Sequence, residues 1–286
     1  SFFASIMFVR FTTTNPLDRL NKILHIVAQG KLPSIIERRS NDEIGDMTSS
    51  LNYLVQALKR NAHFAYRIGD KDFQADFEPI SKDDMLGNAL LTMRDSIQST
   101  DIKERERAWI MQGVAEMGEV LRDNHDDINK LAEQVSQYMA NKINAVQGAF
   151  YVVEKYETET VLEIKASYAY NKKKYLKGKF RFSEGLIGQA AIEKSVILRT
   201  EIPEDFVYIS SGLLGDAKPT CLLIVPLMTQ NEEGEEEVYG VLEFAGFERF
   251  KEMEINFAEE VAVIIARTIA NIKVGEKTKN LLLESQ

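Results

Sequence analysis

Few residues of this 286-residue chain could carry out chemistry at neutral pH, and their spacing matches no catalytic pattern. The histidines are His25, His63 and His125, and no two Cys or His residues have the short spacing of a metal site. Two aspartates follow His125, but the arginine and proline of a kinase phosphoacceptor sequence are missing. Neither a glycine-rich nucleotide loop nor a nucleophile elbow with a serine occurs. The sequence therefore predicts no enzyme activity and no bound metal, and the histidines are interpreted as helix-surface residues.

The single cysteine, Cys221, opens an apolar stretch between Thr220 and Leu222. One cysteine cannot form an internal disulfide, which suits a reducing compartment. Because free cysteines are among the most buried residue types, we interpret Cys221 first of all as a structural thiol.

The charge distribution also limits the partners. The net charge is −9, and the excess of acid argues against nucleic acid, because phosphate binding needs clustered lysine and arginine. One basic loop could receive an anionic ligand or an acidic partner, although such loops are more often solvated hairpins. Its residues are Lys172, Lys173, Lys174, Lys177, Lys179 and Arg181. The acidic loop from Glu232 to Glu237 has the same two interpretations, and the solvated one is preferred.

Two short amphipathic segments near the start of the chain predict paired helices. The first covers residues 16–30, with Asn15 as its cap, Pro16 at the first helical position and Gly30 as its stop. The second follows Asp42-Glu43-Ile44-Gly45. The apolar seams are Leu17, Leu20, Leu24 and Val27, then Ile44, Met47, Leu51, Leu54 and Leu58. Helices this short bury such seams by pairing with each other and with a second chain.

With an apolar tail before it, this arrangement resembles the HAMP module of bacterial receptors. The resemblance implies a parallel four-helix bundle in a homodimer, with Pro16, Asp42, Glu43 and Gly45 as signalling landmarks. We expect Gly45 to be required because chains approach closely at the turn into the second helix.

A repeat lies 42 residues downstream, where Asp84-Met85-Leu86-Gly87 matches the turn at Asp42 to Gly45. The seam that follows is Leu86, Leu90, Met93 and Ile97. This segment resembles a second, diverged HAMP module, with Gly87 as its landmark. Met85 replaces Glu43, and Gly30 has no glycine counterpart, so a plain helical linker is the alternative.

The first residues, 2–9, are apolar and are followed at once by Arg10. They are too few to cross a bilayer, which takes about 20 apolar residues, and they lack the features of a signal peptide. Since basic residues flank membrane helices on the cytoplasmic side, we interpret residues 1–13 as the end of a transmembrane helix. The alternative is an ordinary buried strand or helix start.

Residues 99–107 are polar and interrupt the seams. They place Thr100, Glu104 and Arg107 on the continuing heptad positions, and the next stripe is out of register with the previous one. That stripe consists of Ile110, Val114, Met117 and Leu121. We therefore predict a control joint between two coiled-coil segments.

From Gln147 onwards the composition becomes rich in β-branched and aromatic residues, which predicts strands. The predicted strands cover residues 148–153, 161–170, 196–200, 221–227 and 238–244. Helices are predicted at 128–143, capped by Asp126 or Asp127, at 183–188 and from 252 past 272. The fold class of this half is α+β, an antiparallel sheet flanked by helices.

Three motifs in this half resemble those of GAF domains over roughly residues 110–275. They are Ser183-Glu184-Gly185-Leu186-Ile187-Gly188-Gln189-Ala190, Leu223-Ile224-Val225-Pro226-Leu227 and Tyr239-Gly240-Val241-Leu242-Glu243-Phe244. The resemblance implies a sensor domain with a possible small-molecule pocket, although more of its aromatic residues are expected in the core than at a ligand. The candidate lining residues are Tyr168, Tyr170, Phe182, Phe206, Tyr208, Cys221 and Glu243.

No cofactor is predicted for that pocket, and its ligand is unknown. Bilin attachment is not supported because Cys221 has no neighbouring histidine, and haem is not supported because no histidine falls among the strands. The residue set of cyclic-nucleotide GAF domains is not recognisable.

The order of these modules looks like that of sensor histidine kinases and related receptors of the Bacteroidetes type. The expected boundaries are a transmembrane helix end (1–13), HAMP (14–61), second HAMP (62–103), helical linker (104–112), GAF (113–275) and the start of an output coiled coil (276–286). The expected function is two-component-type relay in the cytoplasmic portion of an inner-membrane receptor. The partners would be a second copy, the membrane and a C-terminal output domain, or a downstream kinase or response regulator. The alternatives are the regulatory front of a kinase or cyclase, or an empty GAF scaffold that only dimerises.

Overall fold

The computed structural model describes residues 2–169, 172–173, 178–201, 219–231 and 233–284. The chain divides into two compact units, Ser1–Glu104 and Arg105–Gln286. The first unit is helical with two small apolar clusters, and the second is a sheet with helices on both faces.

The first helix passes through the expected start at Pro16 without a break. Helix α1 (Phe2–Val9) continues through a π-helical turn (Arg10–Thr14) into α2 (Asn15–Ala28). The prediction of Asn15 as a cap is therefore wrong, since the preceding residue Thr14 is itself helical. A proline lacks the N–H that a continuous helix would use, and the wider turn before it, closed by Asn15 N–H to Arg10 O, suits that gap. No helix within the described residues is long and apolar enough to cross a membrane.

The connector and α3 (Glu43–Gly69) complete the first cluster of the helical unit. Gly30 has φ +80° just beyond the end of α2, as a helix stop requires. Asp42 caps α3 by accepting a hydrogen bond from Gly45 N at 3.1 Å. The cluster consists of Leu20, Ile36, Leu51 and Val55, with Ile23, Val27, Leu32 and Ile44 packed against it.

A second cluster repeats this arrangement around the end of α3 and the start of α4 (Met85–Asp123). Asp84 accepts hydrogen bonds from Gly87 N at 2.9 Å and Ile80 N at 3.0 Å. Phe64 of α3 stacks on Phe77 of the connector with ring centroids 4.2 Å apart. The other members of the cluster are Ile68, Ala75, Phe73, Leu90 and Leu91.

The second unit contains the predicted α+β fold, and its antiparallel sheet is confirmed. The helices are α5 (Ile128–Lys142), α6 (Gly185–Glu193) and α7 (Glu252–Glu284). Asp127, not Asp126, caps α5, accepting from Asn129 N at 2.9 Å. The strands are β1 (Gln147–Lys155), β2 (Thr160–Ala169), β3 (Lys172–Lys173), β4 (Lys179–Arg181), β5 (Ile197–Arg199), β6 (Cys221–Gln230) and β7 (Glu236–Gly246).

The sheet runs in the order β3-β2-β1-β7-β6-β5, with β4 also paired to β2. Alternate residues of each strand point to opposite faces, so each face has its own core. The inner core, against α4, α5 and α7, contains Phe150, Phe244, Leu223 and Phe257 among its fully buried residues. The outer core, against α6, contains Leu162, Ile187, Ala190 and Ile224. This division decides which of the candidate site residues can meet.

Candidate functional site

A buried carboxyl group lies in the middle of the sheet. Glu243 is on β7, between β1 and β6, and its chain neighbours Leu242 and Phe244 point into the inner core. Its side chain therefore belongs to the outer face, where it accepts a hydrogen bond from the Tyr151 hydroxyl at 3.0 Å. Burial raises the pKa of Glu243 to about 7, against the opposing effect of the hydrogen bond from Tyr151.

Aromatic residues of the outer face surround this pair. Phe180 of β4 makes an edge-to-face contact with Tyr151, with ring centroids 5.6 Å apart. Phe182 packs against the same cluster, next to the start of α6. Burial also raises the pKa of Tyr151 well above its usual value, and the adjacent carboxylate adds to the shift. Tyr151 therefore stays a neutral hydrogen-bond donor beside Glu243.

The structure separates the residues that the sequence grouped into one pocket. Phe182 and Glu243 share the outer face, whereas Tyr168 and Cys221 belong to the inner core. Tyr168 donates a hydrogen bond to Asn141 Oδ1 of α5 at 3.2 Å. The Cys221 thiol is buried in that core, as expected for a structural thiol. Tyr168 and Cys221 cannot line the same site as Glu243, because strand geometry turns them to the opposite side of the sheet.

Three other candidates, Tyr170, Phe206 and Tyr208, lie outside the described residues. Tyr151 was missed by the sequence reasoning. Its contact with Glu243 depends on how β1 and β7 are paired. Tyr151 lies opposite Val241 and Glu243 lies opposite Ala149, so Tyr151 and Glu243 are diagonal neighbours. Only the strand register places these two side chains together.

At the positions that the structure describes, side chains of the two charged segments form contacts within the chain. Lys179 Nζ lies 2.9 Å from the Tyr156 hydroxyl and 4.3 Å from the centre of its ring. Arg181 lies 3.4 Å from Glu159. Glu237, predicted in the acidic loop, lies at the start of β7 and pairs with Lys155 at 2.8 Å. These contacts on exposed side chains fit the interpretation of solvated hairpins. The side chains of Lys172, Lys173, Lys174 and Lys177 lie outside the described set.

Asp42 and Gly45 lie in a turn where the connector touches α3. Asp42 accepts from the Ser40 hydroxyl at 2.6 Å as well as from Gly45 N, and these bonds lower the pKa of Asp42. A Cβ on Gly45 would overlap the carbonyl oxygen of Ser40 and lie 2.9 Å from Arg38 Nε. The connector of the same chain therefore already requires glycine at this position. Pro16 lies inside the continuous helix, and Glu43 is an exposed residue of the first turn of α3.

The histidines are exposed, as predicted for helix-surface residues. His125 Nδ1 lies 2.7 Å from the carbonyl oxygen of Arg122, at the start of the turn before α5. Within the described residues, no group of three His, Cys, Asp or Glu side chains could hold a metal ion.

Comparison with family models assigns the chain to the class of regulatory, sensor-type modules. The chain belongs to the GAF domain family, because residues 125–270, half of the chain, match the model of that family. Residues 8–60 match the HAMP domain model. Both family predictions are confirmed, and both kinds of domain are regulatory rather than catalytic.

Solved structures to which the chain is similar include GAF domains and a reductase. The GAF domain of a phosphoenolpyruvate-protein phosphotransferase from Coxiella burnetii is 19% identical, with 59% of this chain and 96% of that chain covered and a TM-score of 0.47. Its counterpart from Acinetobacter is 14% identical, with coverages of 59% and 97% and a TM-score of 0.45. The free methionine-R-sulfoxide reductase of Neisseria meningitidis, solved with its substrate, is 14% identical, with coverages of 58% and 91% and a TM-score of 0.44. No curated protein matches the chain.

Proposed function

We propose that this chain is the relay segment of a dimeric membrane receptor, in which HAMP helices and a GAF sensor pass a signal to a C-terminal output domain. The segment consists of HAMP (14–61), a second HAMP (62–103), a linker (104–112), the GAF domain (113–275) and the start of an output coiled coil (276–286). Residues 1–13 would be the end of a membrane helix on the cytoplasmic side. The observation that carries the proposal is that the apolar seams of the first HAMP module are only partly covered within a single chain.

These seams are divided between buried and open residues in a single chain. Leu20 and Leu51 are each 6% exposed, because the connector residue Ile36 and Val55 of α3 cover them. Leu17, Leu24 and Leu54 of the same heptad stripes are 40%, 45% and 48% exposed. Heptad residues left open on both helices are the expected contact surface of a parallel four-helix bundle, so a second copy is the natural partner.

The second module is proposed from geometry that repeats the first. Asp42 caps the N–H of Gly45, and Asp84 caps that of Gly87. The missing counterpart of Gly30 has a structural substitute, because Lys71 adopts φ +62° just after α3 ends. Phe64 and Phe77 pack helix against connector, as Leu51 and Ile36 do in the first module. These parallels favour a second HAMP over a plain helical linker.

For the GAF domain, we propose that a small molecule binds on the outer face beside Glu243. Within the described residues, no cation pairs with this buried carboxyl group, and Tyr151 is the donor that contacts it. Burying an unpaired carboxylate is costly, so a ligand with a cationic or hydrogen-donating nitrogen would be favoured there. Native mass spectrometry of the gently purified chain tests this, with Glu243→Gln expected to lose the bound mass. Absence of any bound mass would favour the dimerisation scaffold.

Disulfide crosslinking tests the relay dimer. Leu54→Cys should crosslink to its counterpart in the second copy, whereas Gln56→Cys, exposed on the other side of α3, should not. Leu51→Cys should crosslink less than Leu54→Cys, because Leu51 is covered within its own chain. Equal crosslinking at positions 54 and 56 would rule out the parallel four-helix bundle.

A further inference from the structure

Helix α4, which leads into the GAF domain, is bonded to α5 of that domain through the carboxylate of Glu116. Glu116 Oε2 accepts hydrogen bonds from the Tyr138 hydroxyl at 2.7 Å and from Lys142 Nζ at 2.9 Å, both on α5. Its other oxygen accepts from Gln112 Nε2 at 2.8 Å. The Tyr138 hydroxyl also lies 3.1 Å from the Gly113 carbonyl oxygen. The bonds from Tyr138, Lys142 and Gln112 lower the pKa of Glu116 to about 2, so it stays ionised at neutral pH.

An aromatic contact beside this cluster reaches α7, the helix that leads out of the GAF domain. Trp109 of α4 makes an edge-to-face contact with Phe257 of α7, with centroids 5.4 Å apart. The ammonium group of Lys142 lies 5.1 Å above the Trp109 ring. An added Cβ at Gly113 of α4 would lie 2.6 Å from Phe257 Cε2, and the ring centroids of Tyr138 on α5 and Phe257 are 6.5 Å apart. Three helices therefore meet at one fully buried phenylalanine.

This junction lies on the inner face of the sheet, opposite to the candidate ligand site. Phe257 belongs to the inner core, whereas Tyr151, the partner of Glu243, belongs to the outer core. A displacement of α4 could thus reach α7 by direct side-chain contact, without any change at the ligand face.

We infer that Glu116 locks α4 onto α5 in one position. When a signal moves α4 out of that position, the motion passes directly to α7 through the contact between Trp109 and Phe257. This rests on the proposed relay function. Rotation or sliding of α4 would break the bonds to Tyr138 and Lys142 together, since both donors meet the same oxygen. Charge-assisted bonds of this kind are strong and directional, and close packing around Phe257 resists gradual deformation. The junction should therefore move between discrete positions, with the ligand face acting as a separate input.

Trp109 is the only tryptophan, so its fluorescence reports on the junction in the unlabelled chain. Glu116→Gln and Tyr138→Phe should shift its emission to the red and increase its quenching by acrylamide, because Lys142 and α5 no longer hold the indole. Glu119→Gln is the matched control, an exposed glutamate on the same helix. An unchanged Trp109 signal in both junction variants would show that Glu116 does not hold α4.

A second measurement tests transmission to α7. Spin labels at exposed Lys279, in a Cys221→Ala background, report the distance between the α7 helices of the dimer. Gly45→Val in the HAMP module should shift this distance, and Trp109→Leu or Phe257→Leu should abolish the shift. A shift that persists in a folded Trp109→Leu or Phe257→Leu chain would overturn the junction and leave the relay intact. No shift in the parental background would overturn the relay itself and the junction with it.

Discussion

The side chain of Asn52 holds the backbone of Ile36 through two hydrogen bonds, one in each direction. Ile36 N donates to Asn52 Oδ1 at 2.8 Å, and Asn52 Nδ2 donates to the Ile36 carbonyl oxygen at 2.8 Å. Ile36 is thereby fixed with its own side chain in the cluster of Leu20, Leu51 and Val55. One amide of α3 therefore positions the connector that covers the HAMP seam.

Replacing Asn52 should release the connector. Asn52→Ala leaves the N–H and C=O of Ile36 without protein partners, which typically costs about 1 to 3 kcal/mol when the groups stay shielded from water. We expect the lower part of that range, because the site is only half-buried. Urea unfolding followed by circular dichroism measures the change in the helical unit. Gln56→Ala, on an exposed part of the same helix, is the control. An equal effect of the two changes would contradict the role of Asn52.

Gly45 should tolerate no side chain. Even the single methyl group of Gly45→Ala would meet the Ser40 carbonyl, and Gly45→Val would displace the connector further. We expect both variants to lock or abolish signalling in a full receptor while the GAF domain stays folded. The folded state of the GAF domain can be followed by the protection of the buried Cys221 from thiol reagents. Gly118→Ala is the matched control, because an added Cβ at that helical glycine meets no atom within 4 Å. Normal signalling by Gly45→Val would show that this landmark is misassigned.

Glu243 should make stability depend on pH in the opposite sense to an ordinary ion-paired carboxylate. Its pKa rises from 4.5 in the unfolded chain to about 7 in the folded one. Below pH 4.5 the Glu243 carboxyl group is neutral in both states and does not change the free energy of unfolding with pH. As the pH rises from 4.5 to 7, the unfolded chain ionises first, so stability falls, by at most about 3 kcal/mol from linkage.

Thermal unfolding between pH 4.5 and 8 tests this expectation. Glu243→Gln should flatten the decline, because the amide cannot ionise and can still accept from Tyr151. Glu236→Gln, at an exposed position on the same strand, should keep the decline of the parent chain. A parental slope in the Glu243→Gln variant would mean that other groups cause the dependence.

The polar segment 99–107 remains a predicted control joint. Helix α4 runs through it unbroken, and Thr100, Glu104 and Arg107 are exposed in the single chain. Replacing all three with Leu should make the dimer more stable and uncouple input from output, since an apolar seam would fix the register. Analytical ultracentrifugation and receptor signalling provide the two readouts. A more stable dimer with normal signalling would show that segment 99–107 is only a linker.

The chain should show no turnover by itself. Purified residues 14–286 are expected to give no ATP hydrolysis, autophosphorylation or cyclase activity, because the sequence contains no nucleotide loop or activated nucleophile. Radiolabelled ATP provides a sensitive assay, and heat-denatured protein sets the background. Activity that follows the protein through purification would overturn the prediction.

Much of the local structure could be read from the residues alone. The helix cap at Asp127, the stop at Gly30 and the apolar stretches that became β6 and β7 are local signals, and they appear where predicted. One local expectation, Asn15 as a cap, failed because the helix already runs through residues 2–14 before it. Another contact invisible to local patterns is the ion pair of Lys71 with the nearly buried Asp101, at 2.6 Å.

The sequence by itself determined the families, the α+β class and the order of the modules, because heptad spacing, capping residues and strand alternation are properties of neighbours along the chain. Only the tertiary structure decided that Tyr168 and Cys221 are separated from Glu243, that Tyr151 completes the buried pair and that Trp109 meets Phe257. The pairs Tyr151–Glu243 and Trp109–Phe257 join residues about 90 and about 150 positions apart, and a shift of one residue in strand register would reverse which face of the sheet each strand side chain occupies.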